Sequence, residues 1–139
     1  MRAFAYRLLG QREYSLSELS NRISRKWPQA SDIKLFIYQL AEENLVSDER
    51  FAESFLRSRV RRHQGPMKIK AELRGKGVAD AITSTALDSM SGEWRALAAE
   101  WLDRQHPGAI DFADKKKYYR RLVNRGFTHD QAMDVLNSK

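Results

Sequence analysis

The chain has 139 residues, 42% of them hydrophobic and 31% charged, enough apolar sequence to build a core and too much for wholesale disorder. It has no cysteine, which excludes disulfides, thiolate zinc sites, iron–sulfur clusters and cysteine nucleophiles together, and its three prolines and seven glycines are too few for the turns of an all-β fold. The formal net charge of +7 points to a polyanionic partner, either nucleic acid or an acidic protein surface.

Taken in chain order, the segment from Met1 to Arg7 has neither the apolar stretch nor the small-residue cleavage site of a signal peptide. No apolar run approaches the roughly 20 residues of a membrane helix. An intracellular, cytoplasmic protein without a membrane segment is expected. A first helix is predicted over 3–13. Ser15-Leu16-Ser17-Glu18 is a capping box, in which the serine oxygen accepts from an early amide and the glutamate reaches back; it opens a helix over 16–26, which Pro28 follows. A third helix is predicted over 31–45. Ser47 before Asp48-Glu49 places carboxylates at the positive end of a helix over 48–63. Gly65-Pro66 puts proline at the first position of a helix over 66–76, where its missing N–H costs nothing, and Gly77 stops it in a left-handed conformation. Helices over 79–90 and 93–106 follow, with Pro107 after the second. A helix over 111–125 ends at Gly126, and the capping box Thr128-His129-Asp130-Gln131 opens a last one over 129–137. No segment alternates as a strand does, so the fold class is all-α.

The nine helices carry an internal repeat. Leu19, Ile23, Lys26 and Ile37 are followed 50 residues later by Ile69, Leu73, Lys76 and Leu87, and 49 residues further by Tyr118, Leu122, Arg125 and Leu136. Each set places two apolar residues four apart on one helix face, a base near that helix's negative end, and an apolar residue in the next helix. The reading is a tandem array of three three-helix repeats, at 1–46, 47–91 and 92–139. One repeat is too small to bury much surface alone, so neighbours must share a core and the molecule must be elongated. A monomer is expected.

The chain contains no phosphate-binding GxxxxGK[ST] loop and no GxGxxG fingerprint. His63, His106 and His129 lie at no metal-ligand spacing from one another and read as exposed loop or helix-end residues. Ser15, Ser31 and Ser47 read as caps, and no nucleophile, base and orienting group fall together. No catalytic residue, no metal site and no cofactor is expected, and the chain is read as a non-enzyme. The bases are the more informative set. Residues 57–76 hold Arg57, Arg59, Arg61, Arg62, Lys68, Lys70, Arg74 and Lys76 against Glu72 alone, and residues 115–125 hold Lys115, Lys116, Lys117, Arg120, Arg121 and Arg125 with no acid. Arg57 and Arg61 form one row beside the inward-facing Phe51, Phe55 and Leu56; Lys70 and Arg74 form another beside Ile69 and Leu73. Such rows suit phosphates or an acidic groove. The aromatics Phe4, Tyr6, Phe36, Tyr38, Phe51, Phe55, Trp101, Tyr118 and Tyr119 fall at helical spacings and read as core.

The stretch Leu45-Val46-Ser47-Asp48-Glu49-Arg50-Phe51-Ala52, continuing through Arg57-Ser58-Arg59 and Gly65-Pro66 to Ile69-Lys70-Ala71-Glu72-Leu73-Arg74-Gly75-Lys76-Gly77-Val78, strongly resembles the RecX family. The first repeat is similar through Arg12, Ser15, Glu18-Leu19 and Lys26, and the last through Lys117, Arg125-Gly126-Phe127 and Leu136. His63-Gln64 before Gly-Pro, and Lys26-Trp27-Pro28 in place of a Lys-Gly ending, depart from the family pattern. The resemblance implies an all-α array that regulates the RecA recombinase, lying in the groove of its filament on DNA and hindering filament growth, ATPase, strand exchange and co-protease activity. By that likeness, the expected partner-binding residues are Arg57, Arg59, Arg61, Arg62, Lys68, Lys70, Arg74, Lys76, Lys115, Lys117, Arg120, Arg121 and Arg125. Single- or double-stranded DNA is a further candidate partner. The alternative reading is a basic helix-turn-helix-like DNA-binding protein with no role at RecA.

Overall fold

A computed structural model describes all 139 residues, and it is built of helices and turns alone. The helices are α1 (Arg2–Gln11), α2 (Leu16–Lys26), α3 (Ile33–Glu42), α4 (Asp48–Arg61), α5 (Pro66–Gly75), α6 (Asp80–Asp88), α7 (Trp94–Gln105), α8 (Phe112–Asn124) and α9 (His129–Asn137). Both predicted capping boxes are formed, by Ser15 with Glu18 and by Thr128 with Gln131. Ser47 accepts from the Arg50 amide and Pro66 opens α5. Gly77 and Gly126 adopt φ of 81° and 102°, the left-handed stops that their positions required.

Two helices stop earlier than their apolar pattern. α3 ends at Glu42 because Asn44 turns left-handed at φ 61°, letting the Leu45 amide reach back to the Leu40 carbonyl at 2.9 Å. α4 ends at Arg61 because His63 does the same at φ 56°, with the Gln64 amide returning to the Arg59 carbonyl at 3.1 Å. Asparagine tolerates this region better than most residues.

The three repeats pack their sequence-equivalent residues inward. Leu19, Ile23, Ile69, Leu73 and Leu122 are fully enclosed, as the i, i+4 pattern demands. Leu87 is only half-buried; Thr83 and Ala86 face the core of the second repeat instead. The cores are not one. The second and third repeats share a single apolar cluster running from Phe51 through Leu73 and Trp101 to Leu136. The first repeat has a separate cluster around Leu8, Tyr14, Leu19, Ile37 and Val46. The shared core predicted for stacked repeats is therefore continuous across one junction and interrupted at the other. The accessible surface is 8381 Å², against about 7,450 Å² for a compact monomer of this mass, consistent with an extended array.

Both junctions reuse one device. The start of each repeat's second helix sits against the end of the second helix in the following repeat. Between α5 and α8, the Gly65 amide donates to the Arg125 carbonyl at 2.7 Å and the Met67 amide to the Gly126 carbonyl at 2.8 Å. Between α2 and α5, the Ser15 hydroxyl donates to the Lys76 carbonyl at 2.8 Å, and the Leu16 amide donates to Asp48 Oδ1 at 2.8 Å. Between α5 and α8 orphan amides of one helix thus meet orphan carbonyls of the next, positive end to negative end; between α2 and α5 the Ser15 hydroxyl and the Asp48 carboxylate of α4 mediate the joint instead.

Candidate partner-binding surface

The predicted binding cations divide by what they already hold. Arg59 Nε donates to Glu72 Oε2 at 3.1 Å, its guanidinium lies 4.1 Å from the Phe55 ring centre, and its side chain is only 19% exposed. Gln64, itself buried, donates to the other Glu72 oxygen at 2.8 Å. Arg59, Gln64 and Glu72 are a brace between α4 and α5. Arg74 pairs with Asp80 at 2.9 Å, and that partnership raises the arginine's pKa and lowers the aspartate's.

Lys76 and Arg125, the bases that close the second helices of their repeats, reach back to the preceding repeat. Lys76 Nζ lies 3.1 Å from Glu18 Oε2. Arg125 Nε donates to the His63 carbonyl at 3.1 Å and Arg125 also donates to the Arg62 carbonyl. Its guanidinium stacks 5.2 Å from the centre of Trp101, and burial lowers its pKa. The equivalent Lys26 instead covers the rings of Phe4 and Trp27 within its own repeat. These bases sit at helix ends as the sequence indicated, but two of them are also clasps between repeats.

The remaining candidates carry no ion pair. Arg57, Arg61, Arg62 and Lys68 are exposed on α4, its end and α5, with Lys70 half-buried beside them. On α8, Lys117, Arg120 and Arg121 are exposed and Lys115 is half-buried; Lys117 and Arg121 also flank the Tyr118 ring at 5.5 and 5.3 Å. Arg57 borders a groove between α4 and α6 that Glu49 and Glu53 share, so its surroundings are of mixed sign. The α8 cations around Lys115 and Arg120 line a groove with no acid in it.

The three histidines lie at helix ends or in a turn, as their positions indicated, but sequence reasoning missed their partners, and it misread Tyr6 and Tyr38 as core. His63 pairs with Glu100 at 3.1 Å with its side chain only 14% exposed, His106 faces Asp114 at 3.4 Å, and His129 Nδ1 lies 2.7 Å from the Tyr119 hydroxyl. Each partner is remote in sequence or across a turn, so spacing alone could not show it. Tyr6 and Tyr38 are exposed, whereas Tyr14, Trp94 and Phe127 are buried. No three His, Asp or Glu side chains gather in a metal-binding cluster, and no helix is long and apolar enough to cross a membrane.

The model of the RecX second three-helix domain matches residues 47–87, the segment that holds α4–α6. Regulatory protein RecX of Chromohalobacter salexigens is 43% identical over 134 residues, covering 95% of this chain and 88% of that protein. The chain belongs to the RecX family. Regulatory protein RecX of Halorhodospira halophila is 38% identical, covering 94% of this chain and 83% of its own. The RecX crystal structure from Lactobacillus salivarius superposes with a TM-score of 0.83 at 23% identity, over 98% of this chain and 92% of that one, a likeness of fold. The RecX family is one of regulatory proteins by name, and the repeat architecture described above is the family's fold.

Proposed function

We propose that this protein binds the RecA recombinase filament and inhibits its growth, ATPase, strand exchange and co-protease activity, and so regulates recombination, DNA repair and the SOS response. It acts as a cytoplasmic monomer and catalyses no reaction, with its units at 1–46, 47–91 and 92–139 as successive modules along the filament. The observation that supports this most is the set of unpaired cations spread over the second and third repeats of an extended RecX-family array: Arg57, Arg61, Arg62, Lys68, Lys70, Lys115, Lys117, Arg120 and Arg121. Arg59, Arg74, Lys76 and Arg125 support binding indirectly, by fixing the helices that carry the others.

The test is RecA's ATP hydrolysis on single-stranded DNA. The protein should lower it progressively at less than one copy per RecA monomer, because one blocked filament end or gap affects many subunits. The combined variant Arg57→Glu, Arg61→Glu, Lys68→Glu and Lys70→Glu should keep its helicity, since surface changes of this kind cost within about 0.5 kcal/mol each, and should lose most of the inhibition because attraction becomes repulsion in a shared field. Inhibition should weaken with added salt. No effect of the parent on RecA overturns the reading; DNA binding in a gel shift with no effect on RecA assigns the basic faces to DNA alone.

A further inference from the structure

The third repeat has a second surface that its packing does not explain. Between α8 and α9 lies an open groove of about 480 Å³. Its apolar wall is made by Phe112, Tyr119 and Met133, and its rim by Lys115, Lys116 and Arg120. Phe112 is 74% exposed and Met133 37% exposed, and Phe112 is the most exposed large hydrophobic residue of the molecule. Phe112 is the first residue of α8, a position at which helix formation requires no aromatic ring. The Lys116 ammonium stands 5.2 Å from its ring centre. None of Lys115, Lys116 and Arg120 has a salt-bridge partner, and no carboxylate lines the groove.

We propose that this groove takes a short acidic segment of a partner protein, anchored by one or two apolar side chains. Charge complementarity selects the acidic part: three unneutralised cations ring a site with no acid of its own. The wall selects the apolar part. A phosphodiester strand would satisfy the cations and could stack a base on Phe112 or Tyr119, but it would leave the aliphatic side of the groove, Met133 and Leu136 on α9, without an apolar partner. An acidic amphipathic peptide satisfies both halves at once, with apolar residues at helical spacing against Phe112, Tyr119 and Met133 and carboxylates toward the rim. The proposal deepens the regulatory reading and rests on it in that Lys115 and Arg120 belong to the same set of binding cations.

The test is fluorescence polarisation on the intact chain with three labelled probes: a short Glu/Asp-rich peptide bearing Leu and Phe at helical spacing, the same peptide with those residues replaced by Ser, and an oligothymidylate of similar charge. The anchored peptide should bind about tenfold more tightly than the serine version. Phe112→Ser and Met133→Ser should each remove most of that difference while circular dichroism stays unchanged, and Lys116→Glu with Arg120→Glu should weaken both peptides. Equal binding of the two peptides, no binding of either, or an anchored peptide indifferent to Phe112→Ser overturns the proposal. If Phe112→Ser weakens the oligothymidylate and leaves the peptide unaffected, the groove belongs to nucleic acid and the proposal falls. Its failure is separable from failure of the regulatory reading. A chain that inhibits RecA and ignores the peptides removes only the groove, whereas one that binds the anchored peptide and leaves RecA unaffected removes only the filament role.

Discussion

Thr83 shows how far a single buried atom can depart from its repeat. Its sequence equivalents are Ile33 and Ala132, both apolar and buried, and its own side chain is 1% exposed with a hydroxyl that has no partner. A buried hydroxyl without a hydrogen bond costs about 1–3 kcal/mol. Thr83→Val keeps the shape and removes the hydroxyl, so it should stabilise the protein by about 1 kcal/mol, read as a higher urea midpoint with an unchanged slope. Glycines give the opposite case. A Cβ on Gly65 would stand 2.2 Å from the Phe127 nitrogen, and one on Gly126 would stand 2.5 Å from the Lys68 Cβ at a backbone φ of 102°. Alanine at Gly65 must push two backbones apart and should cost about 3 kcal/mol or more, while alanine at Gly10, inside α1 with nothing near it, should stabilise by about 0.5–1 kcal/mol. Thermal melts of the two variants should therefore move in opposite directions.

At the scale of the helix, the ends carry the specificity. Glu18 closes the capping box of α2 through the Ser15 amide and also meets Arg12 and Lys76. Burial works against its charge, but these partners outweigh burial and hold its pKa below the ordinary 4.5. A depressed carboxylate stabilises the fold fully above its unfolded value, and that contribution is lost as pH falls through the lower folded value. Glu18→Gln should therefore narrow the stability difference between about pH 7 and about pH 3, measured by urea melts. Asp48, whose pKa burial raises above 3.8 despite the Leu16 amide, runs the other way: its contribution is present at acid pH and declines as pH rises through the window above 3.8. The caps, the glycine stops and the inward stripes were legible in the sequence because each depends on residues within a turn or two of one another. The ends of α3 and α4 were not, since Asn44 and His63 terminate helices whose apolar pattern runs on. The division of the basic residues was equally hidden. Arg59 and Glu72 are 13 residues apart and Arg125 reaches back 62 residues to His63, so whether a cation is a clasp or a free charge depends on packing between helices, within a repeat as well as across repeats.

At the scale of the whole molecule, the interrupted core sets an order of events. The second and third repeats share one apolar cluster, whereas the first is joined to them by the bonds of Ser15, Leu16 and Lys76 and by Arg50 with Glu13 at 2.9 Å. Polar junctions that water can replace contribute less than buried apolar area. Amide hydrogen exchange should show α1–α3 opening at lower free energy than α5 and α8, as one unit; uniform protection across all helices would contradict this. Small-angle scattering should give a radius of gyration several ångströms above the ~14 Å of a compact chain of this length. The tip-to-tail contact of second helices also bears on assembly. It is a head-to-tail joint, and a head-to-tail joint that never closes generates a fibre. The helix ends outside these two joints are dressed by residues of their own repeats. At one end Asp111 accepts from the Asp114 amide, supplying from within α8 what Arg125 and Gly126 supply to α5. At the other, α2 runs into Trp27 and Pro28, with Lys26 folded over the rings, where α5 and α8 offer a glycine and open carbonyls. Within the row such a joint is made twice, so breaking either one should part a repeat from its neighbour rather than unravel a single globule.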